Sequence, residues 1–154
     1  MSKARTLFYA ARCLICLKKF AVPKLSEFSF GEFLYSSKDG KLFANYSVYD
    51  ELDISEMIDD KINQNTIGKR INEIKKTELK YKLIGKIADM PDDMDGYITG
   101  KYVCPRCGSK IVFLNDKKKI KAERLPRLQF RQFKSLTEKE REELIQQKIS
   151  KELN

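Results

Sequence analysis

The chain contains four cysteines and no histidine, and the cysteines fall in two pairs of equal spacing, Cys13-Leu-Ile-Cys16 and Cys104-Pro-Arg-Cys107. Two thiolates three positions apart can both reach one ion while the backbone between them makes a tight turn, and zinc takes four ligands in a tetrahedron. Each pair supplies two ligands. With no imidazole in the sequence, Cys13, Cys16, Cys104 and Cys107 together complete one zinc site and leave no cysteine over. Four thiolates leave no open coordination position, so this Zn2+ is expected to be structural and not catalytic.

The residues around each pair support the same reading. Pro105 fixes its own backbone angle, and Gly108 permits the positive φ often needed just past a second ligand. Lys18 and Lys19 follow Cys16, where their charge favours thiolates and offsets the excess negative charge of such a site. In a reducing compartment, paired cysteines favour metal or redox chemistry over structural disulfides. A thioredoxin-like role requires the pair at the start of a helix after a strand, and neither pair has that βαβ setting.

Other chemistry is sparse. The absence of histidine removes the commonest general base, and no Gly-rich phosphate loop, G-x-S-x-G elbow or H-E-x-x-H helix is present. Glu78-x-Lys80 matches the end of the PD-(D/E)xK nuclease pattern, but such common residue types are expected on any solvated strand edge. Asp89, Asp92, Asp93 and Asp95 do not meet the EF-hand pattern and read as a solvated turn. The sequence predicts a protein that is not an enzyme.

The charge of the chain, +9, is concentrated. Residues 101–137 hold 11 Lys and Arg against 2 acids, so this quarter accounts for the whole excess. Its candidate binding residues are Lys117, Lys118, Lys119, Lys121, Arg124, Arg127, Arg131 and Lys134, with Phe130 and Phe133 interleaved. Clustered cations attract phosphates and release counterions, while Arg and aromatic side chains stack on exposed bases, so RNA or single-stranded DNA is the expected partner. The alternative is an acidic protein partner, as for an inhibitor or a toxin-neutralising immunity protein, with zinc holding the framework. Exposed Phe130 and Phe133 on one continuous basic face would favour nucleic acid; burial of both, with scattered charges, would favour the protein-interaction reading.

These residues need elements to hold them. Gly96–Val103 and Ser109–Asn115 flank the second pair and are rich in β-branched and aromatic residues, predicting strand, knuckle, strand. In FSFGEFLYSSKDGKLFANYSVYD, Lys38-Asp39-Gly40 joins two aromatic strands into a hairpin whose aromatic residues form a core face. Ile54, Met57, Ile58 and Ile62 predict a helix capped by Asp53 or Ser55, and a second helix is expected near Thr66 along Ile67, Ile71 and Ile74. Leu79, Tyr81 and Leu83 alternate, which favours a strand over residues 78–87. At the end, Ser135-x-x-Glu138 has the form of a capping box opening a helix of about four turns, with Leu144, Ile145, Ile149 and Leu153 on one face.

The paired CxxC motifs resemble the broad zinc-ribbon and zinc-knuckle group, which implies β-hairpins sharing one zinc and, since the group has no common activity, no particular function. In a compact ribbon about 15–20 residues separate the pairs; here residues 17–103 intervene. Loop closure cost grows only logarithmically, so a structured insertion is tolerable. The expectation is therefore an α+β chain with zinc-ribbon-like hairpins, a long α/β insertion and a C-terminal helix. Residues 1–137 would form a single zinc-fastened domain and 138–154 the helix. No apolar run approaches the roughly 20 residues of a membrane span. The N-terminal segment is broken by Arg12 and carries no cleavage site for a signal peptide or lipoprotein, so the chain reads as mature and cytoplasmic.

Overall fold

The computed structural model describes residues 5–25, 31–89, 96–97 and 102–154. The chain is α+β and divides into two compact units: one of residues 1–47 and 91–128, the other of residues 48–90 and 129–154.

Among the described residues the first unit holds six strands: β1 (Arg5–Cys13), β2 (Lys19–Lys24), β3 (Glu32–Ser36), β4 (Phe43–Ser47), β5 (Gly96–Tyr97) and β6 (Val112–Arg124). They form two antiparallel sheets, ordered β2-β1-β6 and β4-β3-β5. The β3–β4 hairpin turns at Lys38-Asp39-Gly40, as the sequence predicts. Gly40 adopts φ 74°, and Asp39 Oδ1 accepts the Lys41 amide at 3.0 Å. Tyr35 and Tyr46 are fully buried, as a core face requires, whereas Tyr49 is 72% exposed and Phe28 and Phe30 lie outside the described residues.

One face of the first sheet is closed by Ala11, Val22 and Tyr102, with Phe20, Val112 and Leu114 packed against them. Tyr102 donates its hydroxyl proton to the Pro23 carbonyl at 2.8 Å, which satisfies that buried polar group. Phe8, Leu34 and Leu125 form a second cluster. Of the strand expected over Gly96–Val103, Gly96–Tyr97 pair with β3, and residues 98–101 lie outside the described residues. The strand after the knuckle is β6, which runs well beyond Asn115.

β6 carries Lys117, Lys118 and Lys119, a run that cannot alternate in and out of a core. It does not need to, because the ladder is broken there: Ala10 pairs with Asn115 but Tyr9 with Lys119, so residues 116–118 bulge from the strand. From Asn115 to Lys121 every residue is exposed.

The second unit is helical: α1 (Leu52–Gln64), a 3₁₀ turn (Gly68–Arg70), α2 (Glu73–Ile87), α3 (Arg131–Ser135) and α4 (Glu138–Leu153). Ile54, Ile58 and Ile62 recur every fourth residue on α1 and are buried, as are Ile145 and Ile149 on α4. Several elements differ from those the sequence predicts. Residues 78–87 are helix and not strand: Leu79, Leu83 and Ile87 are buried at helical spacing, and Asn72 caps the first turn by accepting the Lys75 amide at 2.9 Å. The second helix does not begin near Thr66, since Asn65 Oδ1 accepts from Ile67 and Gly68 and turns the chain; Ile67 and Ile74 remain exposed. No side chain caps α1, whose N-cap is Glu51, and Ser55 is buried within it. The capping box of α4 is Thr137 with Glu140, two residues later than Ser135 and Glu138. Asp89 accepts the Arg131 and Gln132 amides at the start of α3, while Asp92, Asp93 and Asp95 lie outside the described residues.

α4 packs against both α1 and α2, and Glu152 receives Lys82 at 2.8 Å and Lys86 at 2.5 Å. Among the described residues, no helix is long and apolar enough to cross a membrane.

Candidate metal centre

β1 ends at Cys13, and the antiparallel pairing of β6 brings Val112 opposite it, so the two cysteine pairs meet at one end of the β2-β1-β6 sheet. The backbone holds each pair in the same way. Cys13 N–H donates to the Lys18 carbonyl and Cys104 N–H to that of Ser109, each five residues on. Leu17 N–H returns to the Cys13 carbonyl, as Gly108 N–H does to Cys104. The residue after the second cysteine is left-handed in both, with φ 65° at Leu17 and 75° at Gly108. The Leu14 amide donates to the Ile111 carbonyl at 3.0 Å and ties one turn to the chain beside the other.

The same turns aim amides at sulfur. Ile15 and Cys16 N–H groups point at Cys13 Sγ, both at 3.4 Å, and Arg106 and Cys107 N–H groups at Cys104 Sγ, at 3.4 and 3.5 Å. All four Sγ atoms lie within 4.8 Å of one another, with Cys13 3.5 Å from Cys107 and Cys16 3.6 Å from Cys104. A disulfide requires about 2.05 Å, and all four cysteines are free. Thiolates about 2.3 Å from a central zinc would form a tetrahedron with edges of about 3.8 Å. The observed cluster matches that scale, and the four cysteines could hold one metal ion.

The electrostatics suit a cation. The Cys16 amide leads in pulling the Cys13 thiol down to about 6, against the cost of burial and with help from the Ile15 amide. Burial opposes ionisation at Cys104, but the amides of Cys107 and Arg106 outweigh it, and that thiol is also lowered. At Cys107 the Ser109 amide favours the thiolate, yet desolvation and the three neighbouring sulfurs push it up to about 11. A four-sulfur cluster thus retains protons that a bound cation would displace. Cys13 and Cys104 are buried, Cys16 is half-buried and Cys107 is exposed, which leaves one corner open to solvent.

The basic stretch is divided between the two units. Lys117, Lys118, Lys119, Lys121 and Arg124 are exposed on β6 in the first unit; Arg131 and Lys134 are exposed in the second. Lys121 pairs with Glu123 at 2.7 Å and lies over the Phe8 ring, Arg127 is partly buried against Glu32 at 3.1 Å, and Lys134 reaches Glu51 at 2.8 Å. Phe130 and Phe133, expected to interleave with these charges, are buried at 2% and 3% exposure and offer no ring to a base. Among the described residues, Phe113 on β6 is an exposed aromatic residue with cations around it. Its place in a strand starting just past the second pair was visible in the sequence, but its outward orientation depends on register. Leu17 was also missed, although aligning CLICLKK with CPRCGSK sets it opposite Gly108.

No family model matches the chain, and neither the characterised proteins nor the solved structures compared with it give a match. What fold and site define is an α+β protein with a four-cysteine cluster able to hold a metal ion.

Proposed function

We propose that this is a non-enzymatic protein in which a structural zinc, held by Cys13, Cys16, Cys104 and Cys107 as a zinc-ribbon-like clasp, fastens a sheet that binds RNA or single-stranded DNA. A reducing, cytoplasmic setting keeps the thiols available. The observation that carries the nucleic-acid reading is uncompensated charge. In the helical unit Lys61, Lys76, Lys80, Lys82 and Lys86 sit on carboxylates, while Lys69, Arg70, Lys75, Lys139 and Lys151 are spread over it without one among the described residues. On and beside the small β2-β1-β6 sheet, Arg12, Lys19, Lys110, Lys117, Lys118 and Lys119 are exposed close together in the fold, and among the described residues none lies within ion-pair reach of a carboxylate. Clustered free cations on one small sheet are what a phosphate backbone selects.

The test is the triple charge reversal of Lys117, Lys118 and Lys119 to Glu, followed by fluorescence anisotropy with labelled oligonucleotides across a salt series. The variant should bind more weakly, and its log–log salt slope should flatten by about two, since each phosphate no longer neutralised removes about 0.7 from it. A parent protein that binds no nucleic acid at low salt would overturn the reading.

A second reading, a protein-interaction module such as an inhibitor or immunity protein, is favoured by the burial of Phe130 and Phe133 and the pairing of Lys134 with Glu51. A pull-down with and without nuclease separates the two: partners that survive nuclease treatment support protein interaction.

A further inference from the structure

The two faces of the β2-β1-β6 sheet differ. Ala11, Phe20, Val22 and Leu114 belong to the face that packs into the core. On the opposite face, strand register sets Lys19, Arg12 and Phe113 in one row across the three strands, and Ala21, Ala10 and Asn115 in the next. The small side chains of Ala10 and Ala21 leave a hollow of about 510 Å³ whose lining also includes Lys118 and Ile120 from the bulged part of β6. Phe113 is 58% and Ile120 50% exposed, and Arg12, Lys19 and Lys118 are all exposed. The lining holds three cations and no carboxylate.

We propose, on the nucleic-acid reading above, that this hollow is a single-strand site: an unpaired base stacks on Phe113 over the Ala10–Ala21 floor, and the flanking phosphates lie against Arg12, Lys19 and Lys118. Charge identifies a polyanion as the occupant, and the exposed ring identifies the strand state. A phenyl ring can stack only on a base whose face is free, which a duplex does not offer. Because a ring face accepts any base, discrimination among sequences is small, and discrimination between single strand and duplex is large.

The chain contains no tryptophan, so Phe113→Trp introduces a unique fluorophore that can still stack. Its emission should be quenched on adding a uridine or thymidine oligonucleotide, with affinity at least that of the parent. Phe113→Leu keeps an apolar side chain but loses the stack, and should weaken single-strand binding by about tenfold, within the range for one stacked base, while duplex binding is unchanged. Three results overturn the proposal: unquenched emission on saturation, Phe113→Leu binding single strands as the parent does, or a parent that binds duplex as tightly as single strand. In each of these the basic-strand reading survives if reversal of Lys117 to Lys119 still weakens binding. A parent that binds no nucleic acid at all defeats both.

Discussion

Replacing Cys104 by serine should loosen the N-terminal turn as well as the knuckle in which the substitution lies. In the proposed clasp the metal is the shared ligand of two turns far apart in sequence: Cys16 and Cys104 are separated by 88 positions. A cross-link closing a loop of that length removes about 4.6 kcal/mol of conformational freedom from the unfolded chain in the simple entropy treatment. Whole domains are stable by only about 5–15 kcal/mol, so losing the clasp should remove a large share of the stability. Urea unfolding of the zinc-loaded parent and of Cys104→Ser measures the difference. A chelator should lower the parent by a similar amount and leave the variant nearly unmoved. Amide hydrogen exchange locates the effect: Cys13 N–H and Leu17 N–H, bonded to the Lys18 and Cys13 carbonyls, should lose protection together with Cys104 and Gly108. Unchanged exchange at Cys13 and Leu17 in the variant would refute a shared site, since each pair would then be held without the other.

Mass spectrometry under native conditions should find one zinc per chain, and a folded protein free of metal would contradict the cluster's assignment. The matched turns predict opposite responses at equivalent positions: Leu17→Gly relieves left-handed strain and should be neutral to stabilising by up to about 1 kcal/mol, whereas Gly108→Ala, which meets no neighbour, should cost about 1–2 kcal/mol in urea unfolding. Gly40→Ala should cost more than Gly108→Ala by the same measurement, because its new Cβ would lie 2.4 Å from the Val103 carbonyl oxygen in addition to the left-handed strain. Hydrogen bonds from Lys82 and then Lys86 hold the Glu152 carboxyl below its ordinary value, so its contribution is present above the ordinary glutamate range and is lost as pH falls through the lowered value. Thermal melts from about pH 6 to about pH 3 should therefore show a steeper acid decline for the parent than for Glu152→Gln.

The cysteine cluster was legible because ligand spacing is local and four ligands can be counted without knowing the fold. The geometry that joins the pairs was not, since it rests on β1 pairing with β6 across most of the chain. The α2 assignment failed at Leu79, Tyr81 and Leu83, which satisfy a period of two while Leu79, Leu83 and Ile87 satisfy a helix; all are buried, so burial alone did not discriminate between them. Asn72 was the decisive local signal. For α4 the sequence offers Ser135-x-x-Glu138 and Thr137-x-x-Glu140, two similar boxes in staggered positions, and the short α3 occupies the first. The basic stretch looked continuous because a sequence does not display unit boundaries. The division between Leu128 and Gln129 puts the buried Phe130 and Phe133 in a different unit from the lysine run.

The proposed clasp and the proposed single-strand face share their framework, which on this reading would let a bound metal influence binding without touching the nucleic acid. Successive residues of a strand point to opposite faces. Cys13 is the last residue of β1, and Arg12, immediately before it, faces the hollow; Phe113 follows Val112, the partner of Cys13 in the ladder. On β2, Lys19 follows Lys18, whose carbonyl holds the Cys13 amide. One ion at this corner would therefore fix the ends of all three strands that carry the row Lys19, Arg12 and Phe113. If that corner were unclasped, ordering the row would have to be driven by the nucleic acid itself, and affinity would fall by that ordering cost. A fully thiolate-ligated ion has no coordination position to offer a substrate, so on this reading its contribution to function is the rigidity of the face one residue away.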